Sequence, residues 1–569
     1  MKSTYLKKGH VIFLALLIVS VSACKKNALD VPPKGFLTDE TAFASEANAD
    51  LFVNDIYSQL PDLNNETQAS DQYTDNSACG ASWETGQSVI RANALNPSNS
   101  IDGPAGAWRW RSTNPSDQSS LGNYDKIRKC NIFLQLAAKN KAKYSDAWYT
   151  KRVGEVTYLR AFFYSLLYTN YGGVPIITVP LDNRTGDDLF TARSTAEQTL
   201  AFIEADCDAA AAALPVTSEN GRATKGAALT LKGWVELFAA SPLSNPAGDA
   251  AKWAKAAATN QQVITLGQYN LFPDYAGQFL SANNWNKETI FARGYAAPNR
   301  GHKREGILGP VIVNGGQQAW GNLAPTQNLI DEYEMDNGKP ITDPSSGYDP
   351  QNPYVHREPR FYQSIVYDGS TWQGDIFKSR IGGNNEIDLS SSSDISNTGY
   401  NGKKTLDESI RGQTSLNTTQ GTSNYIFFRY AEVLLSYAEA QNEAAGPDAS
   451  VYAAVNQVRQ RAGSALPALV AGLTKDQMRE AIRRERRIEF VFEDKRWFDI
   501  RRWDITAKGP AVLLEQEYGM KITTGAGGKL IYTPVPIFKN SFSEHMNWLP
   551  IPLSVINQSP KLTQNPGYN

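Results

Sequence analysis

Four cysteines in 569 residues are too few for a disulfide-stapled scaffold, and no CxxC pair occurs. Four histidines, at positions 10, 302, 356 and 545, are widely scattered. With no HExxH and no Cys/His cluster, a transition-metal site is not expected. The 56 Lys and Arg nearly balance 58 Asp and Glu, for a net charge of −2. There is thus no global basic field for nucleic acid or anionic lipid. GxSxG, Walker A, a strand-borne GxGxxG and an EF-hand loop are also missing, so no cofactor is expected. A spanning helix is excluded at the N-terminus: the apolar stretch at 11–21 (VIFLALLIVSV) reaches roughly 16 Å, about half a bilayer core.

That stretch follows Lys2, Lys7 and Lys8 and leads through Ser22 and Ala23 to Cys24. A basic start, a short apolar run and a small-residue cleavage site make residues 1–23 a secretory signal. The string VSAC resembles the lipobox of bacterial lipoproteins. The resemblance implies cleavage before Cys24 and its acylation, with ~0.8 kcal/mol of anchoring per buried CH₂. Cys79, Cys130 and Cys207 then remain, and three cannot all pair within one chain.

Residues 24–40 read as a tether with Pro32, Pro33 and Gly35. Beyond it a single domain over 41–569 is expected, with a helical scaffold at 41–60, 123–267 and 425–505. Within these, 123–140, 145–170, 194–213, 223–241, 249–266, 427–445, 448–463 and 474–498 carry helical patterning. Alanines sit where neighbouring backbones approach, as in tetratricopeptide-like helix pairs. Residues 61–122 and 268–424 are rich in Asn, Ser, Gly and Pro, and loops this long are usually functional. TIFARGY (289–295) and FYQSIVY (361–367) read as short strands. The C-terminal tail, 506–569, reads as irregular. The fold class is therefore mostly α, a helix-pair scaffold with a long loop-rich insertion carrying short strands.

Residues 479–504 (REAIRRERRIEFVFEDKRWFDIRRWD) interleave nine basic with seven acidic side chains. Glu485, Glu489 and Glu493 recur every four residues, the spacing of ion pairs along a helix rather than of a phosphate-binding face. Asp331, Glu332, Glu334 and Asp336 are sequence neighbours and do not supply the opposed carboxylates of a glycosidase. Aromatics are abundant, with 12 Trp and 26 Tyr. Trp83, Trp108, Trp110, Trp285, Tyr295, Trp320 and Trp372 all fall in loop-like sequence, where binding groups concentrate. A flat ring can lie against the C–H face of a sugar, and Asn99, Asn284, Asn314 and Gln317 could take its hydroxyls. Trp148, Trp234, Trp253, Trp497 and Trp503 lie in or beside helices and read as packing residues.

Several separated segments together resemble the SusD/RagB family of outer-membrane nutrient-binding lipoproteins. They are ALDVPPKGFLTDETAF after Cys24, EVTYLRAFFYSLLYTNYGGVPIIT (155–178), ATKGAALTLKGWVELFA (223–239), and LIDEYEMDNGKPI with REPRFYQSIVYDGSTW (329–341, 357–372). FFRYAEVLLSYAEAQNEA (427–444), RRERRIEFVFEDKRWFDIRRW (483–503) and LPIPLSVINQSPKLTQNPGY (549–568) complete the ordered set. The resemblance implies a non-catalytic, lipid-anchored protein on the outer face of the outer membrane. It further implies an oligosaccharide ligand and a SusC-like TonB-dependent transporter as partner. Rival readings are a peptide-binding member of the same family, a surface glycoside hydrolase and a protein-interaction scaffold.

Overall fold

The computed structural model describes residues 39–78, 83–112, 114, 121–182, 186–411, 420–503 and 511–568. Cys24, Cys79, the signal segment and the tether through residue 38 lie outside the described residues. Among the described residues helix makes up 43% and strand 11%, so the fold is mostly α. Among the described residues, the helices of eight residues or more are α1 (Glu46–Ser58), α2 (Asn123–Lys139), α3 (Asp146–Tyr171), α4 (Ala196–Ala213) and α5 (Lys225–Ala240). They continue with α6 (Ala250–Thr265), α7 (Tyr430–Ala445), α8 (Ala449–Arg459), α9 (Lys475–Glu489) and α10 (Arg496–Trp503). No described helix is long and apolar enough to cross a membrane.

Local chemistry sets the helix ends. Ser45, Ser145, Thr195, Thr224, Asp249, Asp448 and Thr474 each accept a hydrogen bond from a first-turn N–H. Such a cap is worth about 1 kcal/mol. α3 stops at Gly172, whose φ of 74° an L-side chain resists. Each helix from α2 to α7 packs on the next, and α7 also packs on α8 and α9. Small residues allow the close approach: a Cβ on Gly154 would lie 2.9 Å from that of Ala213, and one on Gly233 would lie 2.8 Å from the Asn260 amide. Cys130 and Cys207 are free thiols buried in this helical core.

The row passes from α6 to α7 across the long insertion. The insertion leaves and returns through one antiparallel pair, β1 (Thr289–Arg293) against β2 (Tyr425–Arg429). It builds a second core from Leu323, Tyr333, Phe361, Trp372 and Tyr400, which meets Ile488, Val491 and Phe492 from the end of α9. FYQSIVY begins as a helix, Pro359–Ser364, because Pro359 occupies its first turn; the strand is confined to Ile365–Val366. The tail also departs from the irregular reading. Gln516–Thr524 (β3) pairs with Leu530–Lys539 (β4) through a Gly527-Gly528 turn at φ 70° and 81°. Pro534 and Pro536 argue against a central strand, and β4 tolerates them because it has one neighbour.

Buried ion pairs join the two cores. Arg360 meets Glu358 (2.8 Å), Glu485 (2.6 Å) and Glu489 (3.1 Å). Arg429 meets Glu288 (2.7 Å), Glu489 (2.7 Å) and Glu493 (2.6 Å). Arg459 pairs with Glu334 and Glu485, Arg461 with Glu288 and Glu489, and Lys404 with Glu493. All are buried. Glu485, Glu489 and Glu493 thus reach across tertiary contacts, which corrects the expectation of ion pairs along one helix for these three, while Glu480 does pair within the helix, with Arg483 (3.5 Å). The helix expected over 474–498 ends at Glu489, and Phe492 and Asp494 turn to φ 62° and 59°. Asp494 there accepts from the Ser70 N–H and from the Tyr425 hydroxyl (2.8 Å). These partners, and those of Glu493, outweigh helix propensity.

Asp494 also faces Asp71, whose carboxylate accepts from Asn76 Nδ2 (2.9 Å) and from the Asp494 N–H (3.3 Å). Burial first, and Asp494 second, push Asp71 up to about 7. The native state therefore holds a proton that the unfolded chain releases near pH 4. This contribution to stability falls as pH rises from the ordinary Asp value to about 7. Asp71→Asn is expected to flatten that fall, raising the thermal midpoint at pH 8 and barely moving it at pH 4. An unchanged midpoint at pH 8 would refute this.

Candidate functional site

The strand β1 carries an aromatic residue beyond each end, Trp285 before it and Tyr295 after it. Both line a cleft of about 550 Å³. Its other walls are Asn54, Tyr57 and Ser58 of α1, the Asn220-Gly221-Arg222 turn, and the loop through Asn299, Arg300 and Gly301. The scaffold and the start of the insertion thus share the site.

Trp285 is held with unusual care. Its φ is 60°, a conformation costly for a bulky residue and associated with functional sites. The ring lies across two glycines. A Cβ on Gly294 would come 2.9 Å from Trp285 Cζ2, and one on Gly221 would come 3.4 Å from Cη2. The same ring borders a second hollow of about 190 Å³, so it stands as a partition with part of its surface open. Tyr295 is pinned instead by hydrogen bonds. Its hydroxyl donates to Asp62 Oδ1 (2.7 Å) and accepts from the Asn64 N–H (3.4 Å). His302 meets the Tyr295 ring edge-on at 5.0 Å. Burial, and Arg304 after it, push His302 down to about 4, so it is neutral at pH 7 and serves as packing behind the ring.

Three arginines complete the walls. Arg222 lies over the Tyr57 ring at 4.8 Å and pairs with the buried Glu155 at 3.2 Å. Arg293 donates to the Ser58 carbonyl (3.1 Å) and meets Asp62 at 3.4 Å. Arg300 is exposed on a loop closed by an Ala296–Arg300 bridge. Asp62 is the one carboxylate among the described residues lining the cleft.

A second aromatic position adjoins this cleft through residues 64–68. Asn65 accepts from the Lys303 N–H (3.1 Å), and the Lys303 ammonium sits 5.7 Å above the Trp320 ring. Asn322 Nδ2 donates to the Thr67 carbonyl (2.8 Å), and Gln68 Nε2 to Thr85 Oγ1 (3.3 Å). Segment 64–68 therefore borders the loops bearing Tyr295, Trp320 and Trp83. Trp320 is half-buried and Trp83 is 63% exposed.

Three expected rings are not available to a ligand. Trp108 is 3% exposed, stacked on Trp497 at 5.7 Å, with Gly103 closing over its face. Trp110 is 4% exposed and meets Tyr171 edge-on at 5.1 Å. Trp372 is 2% exposed within the insertion core. A polar loop has little else to bury, so its large rings become its anchors. The expected polar partners also lie elsewhere. Asn284 is occupied by Thr422 and Asn424, Asn99 by its own turn, and Gln317 by Asp394, while Asn314 forms a tight turn at φ 50°. Arg222, Arg293 and Arg300 were not picked out from sequence. Their one local signal is a glycine beside each of them, Gly221, Gly294 and Gly301.

Comparison with known proteins agrees with this architecture. Residues 287–568 match a model described as the SusD family, and residues 37–235 match one described as starch-binding, associating with outer membrane. The SusD-like protein P38 of Formosa agariphila is 24% identical over 537 residues, 90% of this chain and 95% of its own. A crystal structure of a SusD-like protein from Bacteroides fragilis superposes with a TM-score of 0.74 at 29% identity, covering 93% of this chain and 99% of that one. A SusD-like carbohydrate binding protein from the same organism gives 0.73 at 24% identity, covering 92% and 100%. From its two matched segments and its shared fold, the chain belongs to the SusD family.

Proposed function

We propose that this protein is a non-catalytic glycan-binding protein of the outer membrane. It captures an oligosaccharide in the Trp285–Tyr295 cleft and hands it to a SusC-like TonB-dependent transporter. A lipid on Cys24 holds it at the membrane, facing the cell exterior. The single observation that carries the reading is the Trp285 ring, fixed at φ 60° across Gly221 and Gly294 on the wall of an open, polar cleft. A rigid ring with a free face, flanked by amides and guanidinia, matches a sugar's apolar C–H face and its rim of hydroxyls. Starch binding and outer-membrane association in the description of the matched model support it. A lone lining carboxylate, Asp62, is short of the two that glycoside hydrolysis uses. Asp331 accepts from Gln327, Glu332 and Glu334 pair with Arg487 and Arg459, and Asp336 meets His356, so the acidic cluster is engaged in structure.

Capture for transport needs release, so an affinity of about micromolar to millimolar, −8 to −4 kcal/mol, is expected. A glycan and peptide array probed with the mature protein tests the ligand class. Retention of peptides alone refutes the glycan reading, and turnover of any bound glycan refutes the non-catalytic one. Cys24→Ser is expected to move the protein from the membrane to the soluble fraction. A variant that stays with the membrane refutes the lipid anchor.

A further inference from the structure

The cleft carries more positive charge than its own carboxylates neutralise. Arg222 shares Glu155 with Arg152, which approaches the same carboxylate at 2.6 Å. Arg293 has Asp62 at 3.4 Å and otherwise turns to backbone carbonyls. Among the described residues, Arg300 and Lys303 have no carboxylate partner. Their backbones are nonetheless held. The Ala296–Arg300 backbone pair (2.8 and 2.9 Å) closes the Arg300 loop, and Asn65 holds the Lys303 backbone. One cation thus stands at the cleft wall beside Trp285 and Tyr295, and the other stands over Trp320.

Two cations with no carboxylate partner among the described residues, one on the wall of the cleft and one over Trp320, leave a local positive field that a ligand of opposite sign would match. Guanidinium in particular matches a planar carboxylate or a sulfate with two parallel hydrogen bonds. We infer that the glycan taken by this cleft is anionic, its sugar rings lying on the aromatic faces and its carboxylate or sulfate groups meeting Arg300 and Lys303. The inference rests on the glycan-binding reading above and adds the class of sugar.

The test uses the mature protein and an array of neutral, uronate-bearing and sulfated oligosaccharides. The tightest ligands are expected to be acidic. Their affinity should fall as salt rises from about 0.05 to 0.5 M, since exposed charge pairs are screened. Arg300→Ala should weaken the best acidic ligand by roughly tenfold or more, the scale of one charge-assisted hydrogen bond. Lys303→Ala should weaken it in the same direction, and neutral glycans should lose several-fold less to either change. Carboxyl reduction and desulfation of that ligand distinguish the two sources of charge, since removing the responsible group should abolish both the salt effect and the Arg300 effect. If neutral glycans bind most tightly, or lose as much to Arg300→Ala as acidic ones do, the anionic inference is overturned while the glycan reading stands. If no glycan of any class is retained, the glycan reading itself falls.

Discussion

Arg429→Ala should unfold this protein more readily than almost any single change, by about 3–5 kcal/mol, because it withdraws a cation that three buried carboxylates share and leaves the seam short of positive charge. Arg429 holds three of them. Its Nε donates to Glu493 (2.7 Å), and its Nη1 to both Glu288 and Glu489 (2.7 Å each). Glu489 is held down to about 2 although burial opposes it, with Arg461, Arg429 and Arg360 as the chief causes. In the native protein this contribution is present above the ordinary Glu value and is lost as pH falls toward about 2. Removing Arg429 weakens that hold, leaving Arg461, Arg360 and Lys404 against burial, so Glu489 takes up its proton at a higher pH than in the wild type. The deficit should therefore be larger at pH 8 than at pH 5, as read by urea denaturation at both. Arg429→Lys keeps the charge and loses the fork, and should fall between wild type and alanine. A loss below about 1 kcal/mol at pH 8, the scale of an exposed pair, would refute the account.

Trp285→Ala should weaken glycan binding by about 30-fold or more, the loss expected of a central aromatic anchor worth at least 2 kcal/mol. The thermal midpoint should change far less than binding, because the half-buried ring lies outside both main cores and packs on Gly221, Gly294 and the small Phe279–Ala292–Ile426 cluster. Isothermal titration and a melting curve on one preparation separate the two effects. Binding that survives this substitution would remove Trp285 as the platform and pass that role to Tyr295, Trp320 or Trp83.

The scaffold was legible because helices write their period into the chain. Thr195 with Gln198, and Thr474 with Gln477, make capping boxes that mark two helix starts, and Tyr171-Gly172-Gly173 marks an end. The break after Glu489 was not legible, because Asp494 is turned out of the helix by Ser70 and Tyr425, which are far away in sequence. Loop position was a poor guide to exposure for the same reason. Trp108 and Trp285 both sit in polar sequence, yet one stacks on Trp497 with Tyr73 edge-on against it and the other walls the cleft. What tells them apart is which neighbours the fold brings. Arg300 and Lys303 carried no pattern at all, since an unpaired cation is defined by an absence in three dimensions.

The strand pair β1–β2 gives the insertion a single doorway, and the ionic seam behind it acts as a lock. Arg429 lies at the doorway itself, while Arg360 and Lys404 arrive from within the insertion. A loop region transplanted from a relative would enter and leave through the same two strands without disturbing the helical row. It would fit only if it brought a matching set of keys for Glu485, Glu489 and Glu493. Ligand-facing surface is thereby free to diversify between lineages, while compatibility is policed by a handful of charges that never touch a ligand.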